Sequence, residues 1–328
     1  MSEIRTVLSG KKPPHTVQVW DLEFHPWHKF TAKPYRVGVE FTKLTESEKE
    51  KAIRVNTEVM VEVAAALHFS AITVPNGFWE VSPGMPAYFW LPPEYRFRQI
   101  RLLRDALPKD ILLFAVAGGI MGIPHSNEYI EFSYKLFDAP EEIDKKAAEL
   151  IIKGRELVSK CREAGVDGVI SAADLADNRG PFYSPEQMAR FILPNLKEWV
   201  RFAKSLGCFA IMHSDGNMVP LLESIVECGL QALQAIDPVA GMDMADTQKR
   251  IRNRMALCGN VDCGLLVAGK PEQVYQASKK LLLECKGSGN LVFGASNAVQ
   301  NEVPKENYEA MISAWKEFGL FHPPVSGK

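Results

Sequence analysis

Short apolar runs alternate with longer amphipathic stretches along nearly the whole chain, and this alternation constrains the fold more than any other feature. Eight runs of strand length stand at 17–24, 71–75, 111–118, 168–172, 208–213, 232–237, 255–262 and 291–296. Helix-like segments separate them at 46–67, 94–106, 141–164, 185–206, 220–228, 247–252, 271–285 and 305–318. Ser184-Pro185-Glu186 and Lys270-Pro271-Glu272 put proline at a first helical position, where its missing N–H costs nothing. Gly165, Gly207, Gly229 and Gly319 fall where helices should end, as left-handed caps require. Eight strands each followed by a helix predict a closed parallel (β/α)8 TIM barrel, one domain over residues 1–328. A doubly wound open sheet is the alternative, but the chain lacks the Gly-x-Gly-x-x-Gly turn of that class. Long loops are expected after the second and third strands, at 76–93 and 119–137. The first is rich in aromatics and prolines, among them Phe78, Trp79, Tyr88, Phe89 and Trp90; each loop reads as a lid or as a self-packed surface segment.

Composition narrows the class. The 328 residues are 46% hydrophobic and 24% charged, with a formal net charge of -2, which gives no reason to expect nucleic acid as a partner. No apolar run reaches membrane-spanning length, and residues 1–10 lack the apolar core of a signal peptide. Six scattered cysteines without secretory signals read as reduced thiols. The expectation is a soluble, cytoplasmic protein acting on a small molecule.

Chemistry in a parallel barrel collects beyond the carboxyl ends of the strands. The run ending at Met212 stops at His213-Ser214-Asp215-Gly216-Asn217, where a histidine and a carboxylate can enter one cleft. Other strand ends supply Glu23 and His25, the stretch Asp174 to Gly180, Asp237, Asp262-Cys263 and Ser296-Asn297. His213 and Asp215 are candidate Zn2+ ligands, with Cys263, Asp262 or Glu23 completing the shell. Cys263 reads equally as a small buried hydrophobe. Asp174 and Asp177 are candidates for proton transfer or for binding a cationic substrate; their bland reading is a capped turn at Asn178-Arg179-Gly180-Pro181. Asp237, before Pro238, reads also as a turn-closing residue. Glu23 and His25 flank Phe24, so in a continuing strand they share a side, and at least one should face the cavity. His25, Trp79, Asn178, Asp237, Asp262 and Asn297 complete the expected substrate-binding set.

From Gly165 to Phe318 the chain resembles the uroporphyrinogen decarboxylase superfamily. The resemblance rests on Ser184-Pro185-Glu186, Phe191-Ile192-Leu193-Pro194, His213 followed by Gly216-Asn217, Gly259-Asn260-Val261-Asp262 and Val303-Pro304-Lys305-Glu306-Asn307. It implies a (β/α)8 barrel with its site at the carboxyl rim, and one of two chemistries. The porphyrinogen decarboxylases grip a polycarboxylate with an arginine-rich motif after the first strand. Here that place holds Asp21-Leu22-Glu23-Phe24-His25-Pro26-Trp27, which would repel such a substrate. The other branch moves methyl groups to or from corrinoid proteins and binds zinc through His-x-Cys plus a later cysteine. His213 matches that pattern, Asp215 stands in place of the first cysteine, and Ser296-Asn297 occupies the region of the second.

The resemblance thus implies a zinc-dependent, corrinoid-linked methyltransferase, acting on a small methylated compound such as an aryl methyl ether. The chain has no Asp-x-His-x-x-Gly motif, so cobalamin would come with a partner protein. The alternative is a metal-free decarboxylase of a smaller or less acidic substrate, with Asp174 or His213 as general acid. A non-catalytic binding protein on the same scaffold is a third reading. A homodimer is compatible with the resemblance.

Overall fold

A computed structural model describes residues 2–13, 15–75 and 89–321, together with the backbone of 80–82 and 85–86. The eight apolar runs form one eight-stranded parallel sheet. Its strands are β1 (Gln18–Val19), β2 (Ala71–Thr73), β3 (Leu112–Val116), β4 (Gly168–Ala172), β5 (Phe209–His213), β6 (Ala232–Gln234), β7 (Ala256–Val261) and β8 (Leu291–Ala295). Neighbours in sequence are neighbours in space, and β1 pairs with β8. Ser70 ties β1 to β2: its N–H donates to the Val19 carbonyl at 2.8 Å, and its hydroxyl accepts from the Val19 N–H at 3.1 Å. The protein is a (β/α)8 TIM barrel.

Helices α1 (Glu46–Ala66), α2 (Pro93–Ala106), α3 (Pro140–Ala164), α4 (Leu193–Ser205), α5 (Leu222–Glu227), α6 (Met244–Arg250), α7 (Pro271–Cys285) and α8 (Lys305–Phe318) follow their strands. Alternation along each strand separates two cores. Trp20, Leu22, Phe114, Val116, Ile170, Ile211, Cys258 and Val292 fill the barrel interior, joined by Ile4, Val7 and Leu8 of an amino-terminal helix (Glu3–Leu8). Residues of the opposite parity, such as Leu113, Val169, Met212, Leu257 and Phe293, pack against the helices. Asp167, just before β4, pairs with Arg5 of the amino-terminal helix and with Arg104 at 2.8 Å, holding that helix to the barrel's amino end. Among the described residues no helix is long and apolar enough to cross a membrane.

Three expectations need amendment. Gly165, Gly207 and Gly229 take positive φ at helix ends, but Gly319 has φ -74°; it is tight for another reason, since a Cβ there would lie 2.6 Å from the Trp315 carbonyl. The helix expected over 185–206 is broken into a capped turn (Pro185–Gln187), a π-helical turn (Met188–Ile192) and α4. Pro194 has no N–H to donate back, so the regular ladder cannot pass through it. The second half of the expected loop at 119–137 forms a helix over Tyr129–Asp138, which sets Phe132 and Leu136 into the core. Trp79 and most of the aromatic loop at 76–93 lie outside the described residues.

Candidate functional site

His213 is the last residue of β5 and continues the inward parity of Ile211. Parallel pairing sets Gln234 of β6 directly opposite it. The Gln234 amide nitrogen donates to the carbonyls of Ala295 and Ser296, at 3.3 and 3.2 Å, so its oxygen must face the histidine. That oxygen lies 2.5 Å from His213 Nδ1 and accepts its proton. Nδ1 is thereby the nitrogen engaged by Gln234, and Nε2 is left to face the rim. Nε2 faces two carboxylates, Asp174 Oδ1 at 3.7 Å and Asp215 Oδ1 at 3.9 Å. The three residues each offer one ligand atom, all within 4.8 Å of one another.

Local backbone chemistry brings these groups together. Asp174 follows β4, and its Oδ1 accepts the Asp215 N–H at 2.9 Å. Asn297, after β8, reaches Asp215 Oδ2 with its amide at 2.5 Å. Gly216 has φ +86°, and a Cβ there would sit 2.4 Å from the Ala176 carbonyl, so only glycine lets the chain turn this closely. Its N–H donates to Asp237 Oδ2 at 3.1 Å, while the Asn217 N–H donates to the Asp177 carbonyl at 2.8 Å. Beyond Gln234 the chain passes through Ala235 and Ile236 at positive φ, a conformation that costs about 1–3 kcal/mol per residue. The Asn260 amide, donating to the Ile236 carbonyl at 2.7 Å, helps hold it. Asp215 is pushed up to about 6, chiefly by burial, with His213 opposing the rise and the carboxylates of Asp174 and Asp237 adding to it.

Other expected site residues take different places. Glu23 and His25 do lie on one side, opposite Phe24, which packs on Trp27, Phe69 and Tyr308. They bond to each other, Glu23 Oε2 to His25 Nε2 at 2.8 Å, with both side chains 1% exposed. Burial raises the Glu23 carboxyl well above its ordinary range, with Arg96 opposing, and lowers His25 to about 3. The pair is therefore a neutral carboxyl–imidazole hydrogen bond. Phe89 stacks on the imidazole at 4.5 Å. Glu23 thus stands outside the Asp174–His213–Asp215 group. So does Cys263: its Sγ contacts the Ala298 carbonyl at 3.7 Å, and burial pushes the thiol up to about 11. Asp262 caps the helix Cys263–Ala268 by accepting the Leu265 N–H at 2.6 Å. Asp177 braces a turn, accepting the N–H groups of Arg179 and Gly180 at 2.7 and 3.1 Å. Asp237 closes its own turn on Val239 at 2.9 Å as well as holding Gly216.

Two side chains escaped the sequence reading. Gln234 left a faint signal, being an amide within an otherwise apolar strand. Arg179 stood inside the quoted turn without a role. Asn178 and Arg179 form the tip of a hairpin pairing Ala176 with Pro181. With Ala176, Asp177, Asp215 and Gly216 they line a depression of about 380 Å3 beside the His213 group.

Comparison with known proteins matches residues 93–318, more than half of the chain, to the family model described as uroporphyrinogen decarboxylase (URO-D). The chain is 24% identical over 229 residues to a methylcobamide:CoM methyltransferase of Methanosarcina barkeri, covering 67% of this chain and 62% of that protein. It is also 24% identical over 244 residues to a uroporphyrinogen decarboxylase of Coxiella burnetii, covering 69% and 63%. The match therefore spans less than two thirds of the length of these curated relatives. Among solved structures, a methyltransferase from Methanosarcina mazei shares the fold, with TM-score 0.71, 17% identity, and 96% and 98% of the two chains covered. The ordered motifs between Gly165 and Phe318, the closed barrel and this match agree: the chain belongs to the uroporphyrinogen decarboxylase family.

Proposed function

We propose that the protein is a corrinoid-linked methyltransferase whose active centre is Asp174, His213 and Asp215, working on a small methylated compound such as an aryl methyl ether. The observation that carries this reading is His213 Nε2, oriented by the bond from Nδ1 to Gln234, facing two carboxylates. The donor set fits a divalent metal, and zinc accepts this mixture of nitrogen and oxygen while leaving a fourth position open. When bound, the metal would supply Lewis-acid polarisation of the heteroatom that loses or gains the methyl group.

The chain's own residues do the rest. Gln234 keeps the imidazole oriented, and Asn297 orients Asp215 through its second oxygen. The Asp215 N–H, donating to Asp174 Oδ1, holds that carboxylate beside His213 Nε2. Cobalamin would be carried by a separate protein docked over the barrel mouth. The relatives named as methyltransferases support this reading, and so does the absence of an arginine-rich segment at residues 21–27.

A second reading, decarboxylation without metal, is favoured by one observation. The Asp215 carboxyl, at about 6, can hold a proton in mildly acidic solution and act as general acid. Metal content decides between them. About one zinc per chain in protein purified without chelator, lost in His213→Ala, supports the methyltransferase. Wild-type protein that stays empty when zinc is supplied removes the metal mechanism and brings decarboxylation forward.

A further inference from the structure

The acids around the hairpin tip all have partners, whereas the guanidinium among them has none among the described residues. Asp177 is engaged by two turn N–H groups, Asp174 by the Asp215 N–H, Asp215 by Asn297, and Asp237 by Gly216 and Val239. Arg179 contributes its backbone N–H to the turn; its guanidinium makes no ion pair or hydrogen bond among the described residues. It is the one basic residue lining the depression that also holds Asp215. The hairpin beneath it is pinned by Asp177, by the Asn217 N–H and by the close approach of Gly216. Arg179 is thus presented from a braced backbone with no counter-ion.

We propose that Arg179 receives a single anionic group, a carboxylate or sulfonate, on the small molecule processed at Asp174, His213 and Asp215. This rests on reading that group as the active centre. A guanidinium meets a planar carboxylate with two parallel N–H donors, which a lysine cannot do. Asp177 and Asp215 line the same depression and disfavour a polyanion, so one negative group, directed to the hairpin tip, is the charge this mouth tolerates. A depression of about 380 Å3 suits a molecule of one ring, its anionic end at Arg179 and its other end at Asp215.

The test is titration calorimetry with benzoate and the neutral benzyl alcohol, on wild type, Arg179→Ala and Arg179→Lys, with ethanesulfonate as a second anion. Wild type should prefer benzoate. Arg179→Ala should lose about 10- to 100-fold in affinity for benzoate and ethanesulfonate and nothing for benzyl alcohol, with Arg179→Lys between. An unchanged unfolding midpoint would show that the variants fold. Equal loss for benzoate and benzyl alcohol, unchanged benzoate affinity, or no preference in wild type overturns the proposal. Arg179-dependent benzoate binding in a wild type that neither holds metal nor transfers methyl groups would keep the anion subsite and discard the methyltransferase.

Discussion

Two histidine–carboxylate groups stand at the same rim of the barrel, and they have opposite characters. His25 and Glu23 are each 1% exposed and bonded to each other at 2.8 Å. His213 lies near two carboxylates without bonding either, because Gln234 occupies its other nitrogen. The first group is bonded within itself through Oε2 and Nε2, and burial keeps it neutral. The second directs Nε2 and two carboxylate oxygens at one point. The same residue types give a packed polar pair in one place and a ligand set in the other; burial and the third partner decide which.

The largest effect that could break this contrast is on function. His213→Ala should reduce metal uptake and methyl transfer by at least about a thousandfold in protein that remains folded. Full activity would mean that the open group is not the active centre. Glu23→Ala should do the reverse. Leaving the buried neutral partner unpaired costs about 1–3 kcal/mol, read as a lower urea midpoint, while the folded fraction still takes up metal. Loss of metal from well-folded Glu23→Ala would erase the distinction between the two groups.

A pH effect sharpens the sealed side. Asp21 accepts the Ala295 N–H at 2.7 Å and the Tyr308 hydroxyl at 2.5 Å, and burial raises its pKa from 3.8 to about 6. The folded chain keeps that proton up to about pH 6, whereas the unfolded chain releases it near 3.8. Its stabilising contribution is therefore complete below the lower value and declines as pH rises through the window, by at most about 3 kcal/mol. Asp21→Asn should remove that part of the slope in a denaturation series across this range. A slope identical to wild type would show that Asp21 is not the group responsible. The smallest effect concerns orientation. Gln234→Ala should weaken metal binding by about 10- to 100-fold without abolishing it, and unchanged affinity would remove Gln234 from the positioning role.

The parts of the site legible in the sequence were those that mark a strand end. His213, Asp215 and Asp174 could be nominated because each follows an apolar run whose carboxyl end must face the rim. Glu23 and Cys263 satisfied the same rule and still fall outside the ligand group. Position at a rim says nothing about which neighbour consumes the side chain. Asp262 and Asp177 illustrate the same limit, since a carboxylate that caps a helix or a turn has the same letter as one that binds a metal. Gln234 became significant only through its register with His213 across β5 and β6.

The sequence alone determined the barrel. Apolar runs of strand length, amphipathic helices and glycine caps recur locally, and burying eight such units together leaves few architectures open. It also carried the family motifs between Gly165 and Phe318. The tertiary structure decided which polar groups meet: Asn297 reaches Asp215 across 82 positions, and His213 joins Asp174 from another strand. Hydrogen bonds act over about 3 Å, so partners far apart in the chain become readable only once the closed sheet has set their register.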